Sequence, residues 1–251
     1  SRGLGDVYKR QAREVLGSVV ARLSPEVTTT VRINAGWDAA SLDLDAAVIP
    51  GVSALHLALC EDPDHVRKVA DRVSQIETER GIAPGTIRLI AMLESPAALL
   101  LAREIATASP RMAGLTLGME DYATTMGTTP NADLLRPACY QITQAARAAG
   151  IAPLAVPASM MNFRDAEEME SAAGWARRIG AVGGYAVHPV QVEILNRVFA
   201  PSEEEIAWAH RVVEAAAKAK REGAGVFTVD GKMVDLPIIT RAHDIIGRQA
   251  G

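Results

Sequence analysis

Residues 115–127 read LTLGMEDYATTMG. The apolar run Leu115-Thr116-Leu117 stops at Gly118, and two acids, Glu120 and Asp121, follow at once. A run of this kind reads as a buried strand, because parallel strands covered on both faces are apolar throughout. Paired carboxylates just beyond its end fit three arrangements: a solvated turn, a helix N-cap, or metal ligands at the mouth of a barrel.

Working outward, the same unit recurs. TTTVRINAG (28–36), ALHLAL (54–59), RLIAMLES (88–95), MAGLTLG (112–118), APLAVPA (152–158) and GGYAVHP (183–189) read as strands. Helical stretches lie between them. In DPDHVRKVADRVSQIETERG (62–81), Asp62 suits the cap, Pro63 the first turn and Gly81 the stop. PAALLLAREIATAS (96–109) opens on Pro96, ADLLRPACYQITQAARAAG (132–150) carries Pro137 as a candidate kink, and AEEMESAAGWARRIG (166–180) follows. A strand about every 25–30 residues with a helix between is the rhythm of parallel βα units. Six such strands suit an open doubly wound sheet, or a barrel of eight if two more precede them. Neither GxGxxG nor GxxxxGK[ST] follows any strand, which counts against the open nucleotide-binding sheet. The expectation is an α/β fold of TIM (β/α)8 type, N-terminally truncated, with about six of eight strands in residues 12–190.

The flanks differ. Residues 1–11, SRGLGDVYKRQ, have no apolar core of a secretory signal, and DVYKRQ resembles a translated library adapter. They are expected to be non-native, the natural chain starting near Ala12, where the helical AREVLGSVVARL begins. Residues 191–251 form a helical extension: QVEILNRVF, then a long helix with Ser202 as cap and Glu203, Glu204 and Glu205 in its first turn, and finally IITRAHDIIGRQ. VDGK (229–232) between two short extended pieces reads as a tight Asp-Gly turn.

Composition narrows the function. The net charge is −4 and no basic cluster stands out, so neither nucleic acid nor an anionic membrane is an expected partner. No apolar run is long enough to span a bilayer. Cys60 and Cys139 lie far apart and the five histidines form no zinc pattern, so a reduced cytoplasmic setting is expected.

Polar groups at strand C-terminal ends are the candidates for chemistry. Glu94 ends RLIAMLES, and Asp121 lies about one βα repeat further on, so the two meet on neighbouring strand ends of a barrel. Two carboxylates with water completing an octahedron suit Mg²⁺ or Mn²⁺. Alternatively, Glu94 or Asp121 caps the helix that follows. Arg32 and Asn34 are two apart on one strand and project to one side. Arg32, in an apolar strand, needs a carboxylate partner or an anionic ligand. His188 before Pro189 reads as a packed histidine, and Met160-Met161 as core or pocket wall.

VRIN, IAMLESPAALLLAREIA, GLTLGMEDYATTMG, AARAAGI, YAVHPVQVEILNRVFAPSEEE and GVFTVDGKMVDLPIITRA occur in the order seen in the citrate lyase β-subunit-like family. This is the CoA-ester lyase branch of the HpcH/HpaI aldolases, with malyl-CoA and citramalyl-CoA lyases among its members. The resemblance runs from Ala12 to the end. It implies a TIM barrel with a C-terminal helical extension, Mg²⁺ held by Glu94 and Asp121, and Arg32 on substrate oxygens. It also implies Asp235 as an acid-base group often lent to a neighbouring subunit, in trimers or larger homo-oligomers. The implied reaction cleaves a 3-hydroxy-acyl-CoA into an acyl-CoA and a 2-oxo acid. Three positions depart from the family pattern: Leu59 and Gly184 replace lysines, and Ala138 an arginine. These lost cations leave room for an aldolase on free 2-oxo-acid aldols, or a thioester hydrolase, on the same scaffold. A non-catalytic assembly subunit is the alternative from another class.

Overall fold

The computed structural model describes residues 2–162, 164–223 and 226–249. The chain forms two compact units, Ser1–Leu195 and Asn196–Gly251.

The first unit opens with helix α1 (Arg2–Leu23), unbroken through Ala12, and then alternates strand and helix: β1 (Thr29–Ile33), α2 (Trp37–Ala47), β2 (Val52–Leu57), α3 (Pro63–Glu79), β3 (Arg88–Leu93), α4 (Pro96–Leu100), α5 (Ala102–Ala106), β4 (Met112–Leu117), α6 (Met119–Thr125), α7 (Ala132–Ala148), β5 (Ala152–Leu154), α8 (Ala166–Arg178) and α9 (Pro189–Phe199). The strands pair in chain order, β1-β2-β3-β4-β5, all parallel. Leu55, Leu57, Leu89, Leu93 and Leu115 are fully buried, which explains why these strands read as unbroken apolar runs.

The sheet has five strands, not the six expected. Residues 183–189 contribute a single parallel bridge, Leu154 to Gly183, with Val182 N–H donating to Pro153 O and Ala155 N–H to Gly183 O. Prolines at 153 and 157 and glycines at 183 and 184 leave too few donors and side chains to extend that ladder. The same prolines cut β5 short of the expected 152–158. β2 ends at Leu57 because Leu59 turns left-handed, with φ of 46°. The stretch 96–109 is two helices rather than one, since the chain tightens at Leu101, whose N–H donates to Ala98 O in a one-residue-shorter turn. Pro137 sits inside α7, which runs through it.

The caps follow the sequence. Asp62 accepts from His65 N–H at 2.8 Å with Pro63 in the first turn of α3. Asn131 caps α7 and Asp165 caps α8. One buried ion pair was not foreseen: Glu77 on α3 accepts from Arg111, just before β4, and from the N–H groups of Ile87 and Gly85.

The second unit holds α10 (Glu203–Arg221), a hairpin of β6 (Phe227–Val229) and β7 (Lys232–Val234), and α11 (Leu236–Gln249). Ser202 and Glu205 form a reciprocal capping box. The hairpin turns on Asp230 and Gly231, with φ of 52° and 73°, the left-handed pair that an Asp-Gly turn demands. Ala209, Val212, Val229, Val234 and Ala242 are its core. No described helix is long and apolar enough to cross a membrane.

Candidate active site

Glu94 directly follows β3, and Gly118 directly follows β4. Gly118 N–H donates to Leu93 O, continuing the ladder past the strand ends. Glu94 is 7 % exposed and folds over Gly118, where a Cβ would stand 2.5 Å from its Cγ. Its Oε1 accepts the Leu59 N–H at 2.9 Å, presented by the left-handed turn after β2. Glu120 and Asp121 occupy the first turn of α6 and cap nothing; the N-cap residue is Gly118, without a side-chain bond. Glu120 instead accepts from Ser159 Oγ at 2.5 Å.

Arg32, Glu94, Glu120 and Asp121 line one cavity of about 280 Å³, walled on its other sides by Met92, Leu117, Met160 and Tyr185. Three of the four predicted site residues thus face a single space. Burial pushes the Glu94 carboxyl up to about 7. The Leu59 N–H opposes that rise; the Asp121 carboxyl adds to it by a shared hydrogen bond and by repulsion, and Arg32 opposes it again. A carboxyl group raised by a neighbouring carboxyl in the same cavity marks a hard-oxygen pair that a divalent cation would relieve. Among the described residues no group of three or more His, Cys, Asp or Glu side chains forms a metal site, so water or substrate would complete the shell.

Arg32 departs from expectation. Its side chain is exposed rather than buried, and no described residue pairs with its guanidinium. Asn34 follows directly on β1, which ends at Ile33, and lines a second cavity together with Arg32; Asp43 accepts from both the Asn34 backbone N–H and its Nδ2. Asp235 lies in the second unit, half-buried at the start of α11, with its carbonyl accepting from Ile238 and Ile239 N–H. His188 caps the start of α9, its Nδ1 accepting from Val190 N–H. Met160 lines the cavity, while Met161 is exposed.

The three departures have different surroundings. Leu59 is exposed at the turn that serves Glu94. At Gly184 a Cβ would stand 2.6 Å from Val156 Cγ2, so the packing excludes any side chain. Ala138 is buried on α7 and does not line the cavity.

Sequence reasoning missed one pair. Tyr185 reaches across to His56 on β2 and bonds its Nδ1, while His56 Nε2 lies 3.0 Å from Thr30 Oγ1. The rings meet edge-on, 5.4 Å apart. His56 is register partner to Arg32. Burial, and then the Arg32 charge, lower the basicity of His56; burial raises the Tyr185 hydroxyl against the opposing pull of Arg32. A histidine inside the apolar ALHLAL was the signal available.

Comparison with known proteins agrees with this architecture. The chain is 35% identical over 229 residues to the citrate lyase subunit beta of Haemophilus influenzae, covering 90% of this chain and 78% of that one. It is 35% identical over 197 residues to the L-malyl-CoA/beta-methylmalyl-CoA lyase of Rhodobacter capsulatus, covering 71% and 61%. Among solved structures, CitE from Mycobacterium tuberculosis in complex with magnesium, acetoacetate and coenzyme A superposes with a TM-score of 0.66 at 28% identity, covering 92% of this chain and 83% of that one. The HpcH/HpaI aldolase/citrate lyase family matches residues 6–189, and with strand-end carboxylates gathered in one cavity of a parallel α/β sheet, the chain belongs to that family.

Proposed function

We propose that this protein is a Mg²⁺-dependent carbon–carbon lyase that splits a 3-hydroxy-acyl-CoA into an acyl-CoA and a 2-oxo acid. The observation that carries this reading is the convergence of Glu94, Asp121 and the unpaired Arg32 on one cavity. The relatives support it: two are a citrate lyase subunit beta and an L-malyl-CoA/beta-methylmalyl-CoA lyase, and a third, CitE from Mycobacterium tuberculosis, is seen in complex with magnesium, acetoacetate and coenzyme A. The sheet is read as the larger part of a TIM-type barrel.

Glu94 and Asp121 would hold the cation, which supplies Lewis-acid polarisation of the 2-oxo acid's oxygens when bound. Leu59 N–H and Gly118 fix the Glu94 carboxylate so that it needs no reorganisation to bind. The hydroxyl proton passes to solvent water, and Arg32 balances the negative charge that gathers on the substrate oxygen until the C2–C3 bond breaks and that oxygen becomes the keto oxygen of the 2-oxo acid. The bond's electron pair passes to the thioester enolate. Asp235 in its acid form protonates the enolate carbon, releasing acyl-CoA; in reverse its carboxylate takes a proton from the acyl-CoA carbon. Family resemblance points to a homo-oligomer in which a neighbouring copy supplies Asp235.

Turnover of malyl-CoA and citramalyl-CoA, with and without Mg²⁺, tests the reading. Alanine at Glu94 or Asp121 is expected to abolish metal-dependent cleavage, and undiminished cleavage overturns the metal role. Asp235→Asn is expected to lose turnover while keeping 2-oxo-acid binding; equal loss of both makes Asp235 structural. A second reading, an aldolase or thioester hydrolase, is favoured by one observation: Leu59 and Gly184 offer no cation to CoA phosphates, and the packing at Gly184 forbids one. Release of free CoA rather than acetyl-CoA would select the hydrolase.

A further inference from the structure

We propose that Glu61 is a positioning residue for Glu94. Its bond to Ser95 locks the turn after β2 onto the end of β3, and that lock keeps Leu59 in the left-handed conformation that presents its N–H to the Glu94 carboxylate. This rests on the reading of Glu94 as a metal ligand, and it adds a residue outside the cavity that sets the affinity for the cation.

Leu59 is under strain. Among the described non-glycine residues only Leu59 and Asp230 have positive φ, 46° and 52°. Asp230 sits in an Asp-Gly turn, where a short polar side chain tolerates that region. In leucine the Cβ crowds the following carbonyl oxygen, and no side-chain hydrogen bond offsets the clash. A backbone strained in this way persists only where its surroundings over-determine it.

Two contacts do so, and both run to the end of β3. Cys60, fully buried, donates its N–H to Met92 O at 3.0 Å. Glu61 Oε2 accepts from Ser95 Oγ at 2.5 Å. Ser95 directly follows Glu94 and caps α4, its Oγ accepting from Ala98 N–H at 3.1 Å. The roles are fixed by the groups: a carboxylate only accepts and an amide N–H only donates, so the hydroxyl gives its one proton to Glu61. The turn is thereby fastened before Glu94, at Met92, and after it, at Ser95. Between these two points Leu59 N–H meets Glu94 Oε1 at 2.9 Å. With Oε1 held, the carboxylate keeps one orientation, its Oε2 lying over Gly118. Glu61 itself is exposed and lines no part of the cavity, so its loss is felt through the turn rather than through the fold.

Calorimetric titration of the full chain with Mg²⁺ reads the affinity, and urea unfolding reads the fold. Glu61→Ala is expected to weaken Mg²⁺ binding about fivefold to tenfold, as Leu59 relaxes away from Glu94, with the urea midpoint nearly unchanged. Glu61→Gln keeps an oxygen for Ser95 and is expected to stay within about twofold of wild type. Leu59→Gly added to Glu61→Ala is expected to restore most of the lost affinity, because glycine holds a positive φ without the clash. Unaltered affinity in Glu61→Ala overturns the inference, and a urea midpoint that falls in step with the affinity does so by making Glu61 structural. A loss in Glu61→Gln as large as in Glu61→Ala assigns the effect to charge and overturns it too, as does the absence of rescue by Leu59→Gly. Each of these outcomes leaves the lyase reading standing. A wild-type chain that binds no Mg²⁺ overturns both.

Discussion

A methyl group at Gly118 would stand 2.5 Å from Glu94 Cγ and 2.6 Å from its Cδ. Gly118 has an ordinary backbone conformation, φ −85°, so glycine is required here by the neighbour it touches and not by its dihedrals. Gly118→Ala is therefore expected to fold but to displace the Glu94 carboxylate, weakening Mg²⁺ binding and metal-dependent turnover by about tenfold to a hundredfold. Mg²⁺ titration alongside a urea unfolding curve separates this from global damage. The carboxylates themselves were legible in the sequence, because acids at strand ends break an apolar run. Gly118 read only as the end of an apolar run, since a close approach between residues on neighbouring strand ends leaves no trace in a linear string. Tyr185 and His56 were opaque for the same reason, lying far apart in sequence and meeting only across the folded sheet.

Among elements, the capped helices were the most legible: Asp62, Ser202 and Gly81 all sit as their chemistry predicts, whereas α2 and α6, whose N-cap glycines make no side-chain bond, left no such signal. Strand ends were less so, being set by the left-handed Leu59 and by prolines acting on a partner strand. The Glu77 bridge was invisible, since ETE at the end of α3 looks like any solvated helix end. Burial alone would raise the Glu77 carboxyl; hydrogen bonds from Arg111, Ile87 N–H and Gly85 N–H, with the Arg111 charge, outweigh it and hold the group below its ordinary range. A lowered carboxyl stabilises the fold above its unfolded pKa and loses that contribution as pH falls through the folded one. Glu77→Gln is expected to cost about 3–5 kcal/mol at neutral pH and to flatten the acid limb of stability against pH, as urea midpoints measured between neutral and acidic pH would record. An unchanged acid limb would place the sensitivity elsewhere.

At the scale of the whole molecule, the alternation of strand and helix was plain from the sequence and the parallel sheet follows from it. The strand count was not, because a glycine-rich segment with a proline at its end supplies one bridge where a full strand was expected. The proposed sharing of Asp235 between copies belongs to this scale. Glu94→Gln and Asp235→Asn chains, each inactive alone, are expected to regain turnover when mixed and reassembled. No recovery on mixing would assign Asp235 to its own copy's cavity.

Among the described residues β1 pairs with β2 alone, so one side of TTVRI keeps its backbone donors and acceptors unspent. Such a rim is a template for any extended chain, another copy's included. Arg32, exposed on that strand, then has a second use as a gatekeeper whose charge discourages stacking. Neutralising it to improve packing would trade the proposed substrate-binding cation for a precipitate.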